Sequence, residues 1–204
     1  MIKILSDKKL YARIESEKEK LIFPLIIEKG DLVEMKIVRN VFSRKDGKKI
    51  DRIETYAKIR VEKINIDKLR IIGRIEELCN ERVSKGFHGE DIDIGSELFI
   101  EKKSFNEEIL RILEKIDKIR MEKIKNFEEI INKNQNRFFS EKKKVEEFLE
   151  FGMVEKLFVC KEKFYENLNK IKKALEKNAE IIIVDNKDFC EKIKIAVLLR
   201  FAIY

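Results

Sequence analysis

One proline, one histidine, three cysteines and seven scattered glycines in 204 residues exclude several common kinds of enzyme site. No glycines cluster, so there is neither a P-loop nor a GxGxxG, and GxSxG is absent too. Cys79, Cys160 and Cys190 are odd in number and widely spaced, with no CxxC. The only imidazole is His88, so a zinc site would lack ligands at useful spacing. Three buried, reduced thiols in a cytosolic protein are expected. His88 lies in the glycine-flanked turn Lys85-Gly86-Phe87-His88-Gly89, where a lone histidine more often hydrogen-bonds backbone than does catalysis. No apolar run approaches the roughly 20 residues that span a bilayer. The start, MIKILSDKK, lacks the apolar core and cleavage site of a signal peptide. The one proline, Pro24, sits in Leu21–Ile27, which reads as a buried segment entering the first strand.

Charge is abundant instead. Charged residues make up 42% of the chain, well above the usual quarter, as 46 basic against 39 acidic. Hydrophobic residues at 44% suffice for a packed core, and the length allows one large domain or two small ones. A pI near 9.1 permits a polyanionic partner without requiring one.

The charge is unevenly placed. Lys36 to Arg52 carries seven basic residues (Lys36, Arg39, Arg44, Lys45, Lys48, Lys49, Arg52) against Asp46 and Asp51, or +5 of the net +7. Asp46-Gly47 at its centre is a hairpin-turn pair. The flanks alternate: Ile53, Thr55, Ala57, Ile59 and Val61 on one face, Glu54, Tyr56, Lys58 and Arg60 on the other. A β-hairpin with a cationic tip follows, either a solvated surface loop or a probe for nucleic-acid phosphates. Asp46, Asp51 and Glu54 near it are carboxylates of the kind that hold Mg²⁺ beside substrate phosphates, a proximity also expected by chance in so charged a chain. Lys142-Lys143-Lys144 is a second candidate phosphate contact, or a solvated helix start.

Residues 1 to 104 read as β-rich, with further strands at Leu69–Ile75 and Ile92–Ile100 and turns at Lys29-Gly30-Asp31, Asp46-Gly47 and 86–89. Short strands at this spacing predict a small antiparallel barrel. At Ser104-Phe-Asn-Glu107 a capping box opens a helical period of Ile109, Ile112, Leu113, Ile116 and Ile119. It predicts one long helix to Asn132, or two broken near Arg120-Met121. Beyond it, helices are expected from Ser140 to Gly152 and over Lys161–Lys177, and buried strands at Val154–Val159, Ile181–Val184 and Ile195–Phe201. This second half, with 22 basic and 19 acidic residues, reads as a small helix–sheet–helix domain.

Several segments, in order, resemble the Pelota family of ribosome-rescue factors, paralogues of the class-1 release factor. Gly30-Asp31-Leu32-Val33 with Val38-Arg39-Asn40-Val41 resembles its GD-hydrophobic-V and T-x-R-K-V strand. Ile59–Asp67 is similar to I-x-V-E-x-I-D-F-D, and Leu69–Arg74 to L-R-I-x-G-R. Gly86-Phe87-His88 with Asp91-Ile92 resembles G-x-Y-H-T-L-D-I, and Lys102–Phe105 resembles K-x-x-W with Phe for Trp. Further on, Asn136-Arg137-Phe138-Phe139, Gly152–Val159 and Ile195–Phe201 are similar to segments of the family's C-terminal domain, although Ile193-Lys194 replaces its usual glycine pair.

The resemblance implies an α+β fold. An Sm-like antiparallel β-barrel over 1–118, ending in a helix, would be followed by an L7Ae/L30e-like α/β domain over 119–204, with the family's central domain absent. Neither Gly-Gly-Gln nor Asn-Ile-Lys-Ser, the motifs of the release-factor cousins, occurs in the chain, so peptidyl-tRNA hydrolysis is not expected. The implied role is rescue of ribosomes stalled with an empty decoding site, within no-go and non-stop mRNA surveillance. Arg39, Arg44, Lys45, Lys48, Lys49 and Arg52 would contact rRNA and mRNA-channel phosphates. The implied partners are the ribosome, an elongation-factor-like GTPase and the ribosome-recycling ABC ATPase. The chain would be a cytoplasmic monomer needing no cofactor. Two alternatives stand beside this role. One is a divalent-metal endoribonuclease using Asp46 or Asp51; the other is a structural ribosomal or RNA-binding protein.

Overall fold

The structure is a computed structural model that describes residues 1–42, 49–66, 68–80, 85–103, 105, 107–124 and 127–203; the side chains of 41, 42, 49, 50 and 108 are outside that description. The chain forms two compact units, Met1–Phe105 and Asn106–Tyr204.

The first unit is a seven-stranded antiparallel sheet. Its strands are β1 (Ile2–Ser6), β2 (Lys9–Arg13), β3 (Leu32–Phe42), β4 (Lys49–Asn65), β5 (Arg70–Leu78), β6 (Phe87–Asp91) and β7 (Glu97–Glu101), in the order β1-β2-β7-β3-β4-β5-β6. The predicted alternation on β4 holds: Thr55, Ala57, Ile59 and Val61 are buried, whereas Glu54 and Tyr56 are exposed. On β3 the buried set is Val33, Met35 and Ile37. Register shifts between Lys58 and Ile59 and between Val61 and Lys63 are bulges, which bend β4 and curl the sheet. Gly73 lies at the second bend, where a Cβ would stand 2.0 Å from the Arg60 carbonyl oxygen. Among the described residues no ladder joins β6 back to β1, so the barrel-like sheet has open edges.

Several local expectations change. Residues 86–89, expected as a turn, mostly form β6, and Ile92–Ile100 is a turn followed by β7, because Phe87 to Asp91 finds a partner in β5. The Pro24 segment does not lead into the first strand. It follows the β1–β2 hairpin as α1 (Glu17–Ile22) and a 3-10 turn, capped by Ser16, whose Oγ accepts from the Glu19 amide. Phe23, Leu25 and Ile26 from this segment are buried.

The second unit has helices on both faces of a mixed sheet. Its elements are α2 (Glu107–Glu114), β8 (Ile119–Glu122), α3 (Phe127–Lys133), β9 (Phe138–Phe139), α4 (Lys142–Glu150), β10 (Val154–Cys160), α5 (Leu168–Glu176), β11 (Glu180–Val184), α6 (Lys187–Lys192) and β12 (Ile195–Leu199). The strand order is β8-β11-β10-β12-β9, with β8, β11 and β10 parallel. Phe127 and Phe189 bring α3 and α6 onto the face formed by Phe158, Cys160, Ile182 and Leu198. On the other face α4 and α5 bury Val145, Leu149, Ile171 and Leu175. Burial on both faces explains why these strands are continuously apolar.

Of the two alternatives for 104 to 132, the structure has the one broken near Arg120-Met121, with a strand at the break. Ile119 to Glu122 keeps the helical spacing of isoleucines but pairs with Ile181–Val184 as an edge strand, since the parallel ladder satisfies its backbone and buries Ile119. The Lys115 ammonium donates to the Leu175 and Glu176 carbonyls at 2.9 and 3.2 Å, satisfying the C-terminal end of α5. That anchor ties α2 to the second unit, so the division falls at 105/106. The expectation of three buried thiols is overturned: Cys160 and Cys190 form a disulfide, and Cys79 is exposed. The end of β10 and the first turns of α6 bring the two sulfurs together across 30 residues of sequence.

Candidate nucleic-acid interface

The antiparallel arms β3 and β4 run together as far as Phe42↔Lys49, so residues 43–48 connect a long two-stranded projection. The Asp46-Gly47 pair and the cations Arg44, Lys45 and Lys48 lie outside the described residues, and Lys49 is described only in its strand backbone. The structure describes the side chains of Arg39, Asp51 and Arg52.

Strand parity separates these side chains. Arg52 is exposed on the outer face, cross-strand from Asn40, and has no carboxylate partner among the described residues. On that face Lys36 pairs with Glu54, a contact that raises the lysine's pKa and lowers the carboxyl's. Lys58 and Arg60 are likewise engaged by Glu77 and Glu76. Arg52 is thus an exposed outer-face cation of β4 without an ion-pair partner among the described residues, open to an external anion.

Arg39 has the opposite parity and takes part in a cluster that sequence reasoning missed. Its Nη1 lies 3.3 Å from His88 Nδ1, and His88 Nε2 lies 2.6 Å from Glu90 Oε2. A guanidinium only donates, so Nδ1 must accept and Nε2 must carry the proton given to Glu90. His88 is therefore a rigid spacer between an arginine and a carboxylate, its side chain 9% exposed. β3 and β6 are separated in the ladder by β4 and β5, so this contact measures how far the sheet curls. The sequence signal was present, since His88 and Glu90 share the inward parity of β6; what hid it was the turn expected there.

Beside the cluster, the Arg74 guanidinium sits 5.7 Å from the centroid of the exposed Phe87 ring. Arg70 donates to the Gly89 carbonyl at 2.9 Å and pairs with Asp91 at 3.4 Å. A cavity of about 400 Å³ at the hairpin's base is walled by Lys36, Tyr56, Glu90, Asp91 and Glu97, too acidic to suit a phosphate. The arrangement thus offers cations at the hairpin and an aromatic–arginine pair on the edge strand.

The carboxylates do not converge. Asp51 accepts from the Arg52 amide at 2.7 Å, Glu54 is held by Lys36, and Asp46 lies outside the described residues. Among the described residues no three His, Cys, Asp or Glu side chains are grouped to hold a metal ion. In the second unit, Lys142 to Lys144 open α4 as expected; Lys144 reaches Glu141 at 3.3 Å and lies 5.6 Å from the Phe139 ring centroid.

Residues 9–127 match the family model of the Pelota N-terminal domain. No curated protein matches the sequence significantly. Among solved structures, Archaeoglobus fulgidus Pelota is similar at 15% identity, with 98% of each chain covered and a TM-score of 0.62. An archaeal Pelota in a ribosome-bound model with ABCE1 is similar at 15% identity, covering 100% of this chain and 99% of that one, with a TM-score of 0.56. At such identities the structures speak for the fold alone. The family model spans more than half of the sequence, and the chain belongs to the Pelota family.

Proposed function

We propose that this protein recognises ribosomes stalled with an empty decoding site and promotes their dissociation without hydrolysing peptidyl-tRNA. The observation that carries the proposal is the β3–β4 hairpin. In a chain of this family, +5 of a net +7 charge is concentrated on one long antiparallel projection. Phosphate contacts supply affinity without sequence preference, which suits a probe that must work on any stalled message. Arg44, Lys45, Lys48, Lys49 and Arg52 would meet rRNA and mRNA-channel phosphates, and Arg39 would be aimed by His88.

An archaeal relative of the same fold is described bound to the ribosome with ABCE1, which supports an ABC ATPase as partner in dissociation. An elongation-factor-like GTPase is the second proposed partner, on the family resemblance. The chain divides into two compact units that are consecutive in sequence, which supports a chain lacking the family's central domain. GTPase coupling should be weakened accordingly. The proposed setting is the cytoplasm, as a monomer without cofactor, in no-go and non-stop surveillance. Among the described residues no helix is long and apolar enough to cross a membrane.

The test is co-sedimentation with ribosomes stalled on a truncated message, compared with ribosomes whose decoding site holds a codon. The full chain should prefer the former. Replacing Lys45, Lys48 and Lys49 together with Ala should weaken binding and lower the slope of log K against log salt by about 3, roughly one per lost phosphate contact. Equal binding to both ribosomes, or an unchanged slope, would refute the proposal.

A further inference from the structure

Phe151 and Phe201 are the most exposed large hydrophobic side chains of the second unit, at 71% and 58%. They belong to one corner. Phe151 ends α4, and Gly152 turns the chain away in the left-handed region at φ +67°. The Arg200 amide then donates to the Met153 carbonyl at 3.0 Å, bringing the end of β12 against the start of β10. Each ring is therefore within two residues of the same hydrogen bond.

Two cations complete the corner. The stem of Lys177 lies over Gly152, where a Cβ would sit 3.5 Å from the lysine Cδ. Arg200 Nη2 donates to the Lys177 carbonyl at 3.1 Å. Among the described residues neither Lys177 nor Arg200 has a carboxylate partner. Glu150 is held by Lys173 and Glu155 by Arg137. Two exposed rings and two cations without ion-pair partners among the described residues thus gather at one corner of the second unit. Nothing in the folding of the unit calls for phenylalanine at either position.

We propose that this corner binds unpaired nucleotides of single-stranded RNA, with bases stacking on Phe151 and Phe201 and phosphates meeting Lys177 and Arg200. Exposed aromatic rings with cations beside them suit a strand, which offers bases to stack and phosphates to pair. An apolar protein surface laid over both rings would leave the charges of Arg200 and Lys177 without partners. The site is separate from the β3–β4 hairpin and does not depend on it.

The experiment uses the full chain carrying Lys45→Ala, Lys48→Ala and Lys49→Ala, so that hairpin binding is weakened and the same in every variant compared. Fluorescence anisotropy follows a labelled ten-nucleotide oligouridylate. Phe151→Ala and Phe201→Ala should each weaken binding about tenfold, the effect of losing one stacked base. Lys177→Ala with Arg200→Ala should lower the salt slope by about 1 to 2. Because the chain contains no tryptophan, Phe151→Trp introduces a single indole reporter, whose emission should be quenched by the oligouridylate but not by an abasic strand of equal length. Both rings are exposed, so these variants should keep the parental circular dichroism. Unchanged affinity without the rings, equal binding of the abasic strand, or ring-dependent binding of an oligoglutamate peptide in place of RNA would each overturn the proposal.

Discussion

Lys102 is the residue whose replacement tests most sharply how the first unit is held together. Its side chain is fully buried, and Nζ lies 2.7 Å from Asp31 Oδ2, itself only 5% exposed. Glu28 is a more distant second partner at 3.5 Å, and the Glu28 amide donates to Asp31 Oδ2 at 2.8 Å. With an effective dielectric of about 20, two unit charges at that separation attract by about 6 kcal/mol. Desolvating both ions costs several kcal/mol each, so the intact pair contributes little net stability. Removing one partner differs, because it leaves a buried charge uncompensated, and Lys102→Met should destabilise by about 3–5 kcal/mol. Asp31→Asn keeps an acceptor for the Glu28 amide yet leaves the buried lysine only the more distant Glu28 carboxylate, with a loss of about 3 kcal/mol. The double variant is neutral at both positions and should lose at least about 2 kcal/mol less than the sum of the single losses. The chain has two units, so global unfolding need not be two-state. The assay is therefore native-state hydrogen exchange in urea, read on β4 and β7 amides. Lys102→Met at parental stability, or single losses that add within about 0.5 kcal/mol, would refute the reasoning.

Other outcomes follow from single contacts. Reducing Cys160–Cys190 opens a link across 30 residues and should lower the second unit's stability by about 3–4 kcal/mol, seen as an earlier urea midpoint with dithiothreitol and in Cys160→Ala/Cys190→Ala. Lys194 occupies the left-handed region at φ +67°, so Lys194→Gly should raise the thermal midpoint, by about 0.5–1 kcal/mol of stability. The bidentate hydrogen bonds of Arg60 hold the Glu76 carboxyl below its usual range. That carboxyl binds a proton more readily when unfolded, so its contribution is present above the ordinary carboxylate pKa and lost as pH falls through the lowered one. Glu76→Gln should flatten the acid limb of stability against pH, and an unchanged limb would exclude this pair as a cause. If His88 acts by aiming Arg39, then Arg39→Ala, His88→Ala and the double variant should weaken stalled-ribosome binding by the same factor, whereas additive losses would show independent roles.

Local pattern carried much of the fold. Period-two alternation assigned the faces of β4, and Asp46-Gly47 between alternating runs identified the hairpin whose arms meet at Phe42↔Lys49. Gly152 ended α4, and the continuous apolar runs became strands buried on both faces. Such features are legible because each is decided by neighbours within a turn or two of chain. The resemblance also placed Gly30-Asp31 and Lys102–Phe105 among its motifs, but only the folded chain revealed Asp31 and Lys102 as two halves of one buried ion pair.

What tertiary structure decided involves partners far apart in sequence. Ile119–Glu122 has helical spacing yet becomes a strand because β11 offers it a parallel ladder. Cys160 and Cys190 meet because the end of β10 lies against α6, a meeting that the cysteine spacing did not disclose. Arg39, His88 and Glu90 form a cluster because the bulges of β4 curl the sheet until non-adjacent strands touch. The sequence by itself determined which segments are cationic, which alternate and which are apolar throughout. Which cations are neutralised and which remain available to an anion depended on long-range register, because a carboxylate quenches a charge only where the fold brings the two within a few ångströms.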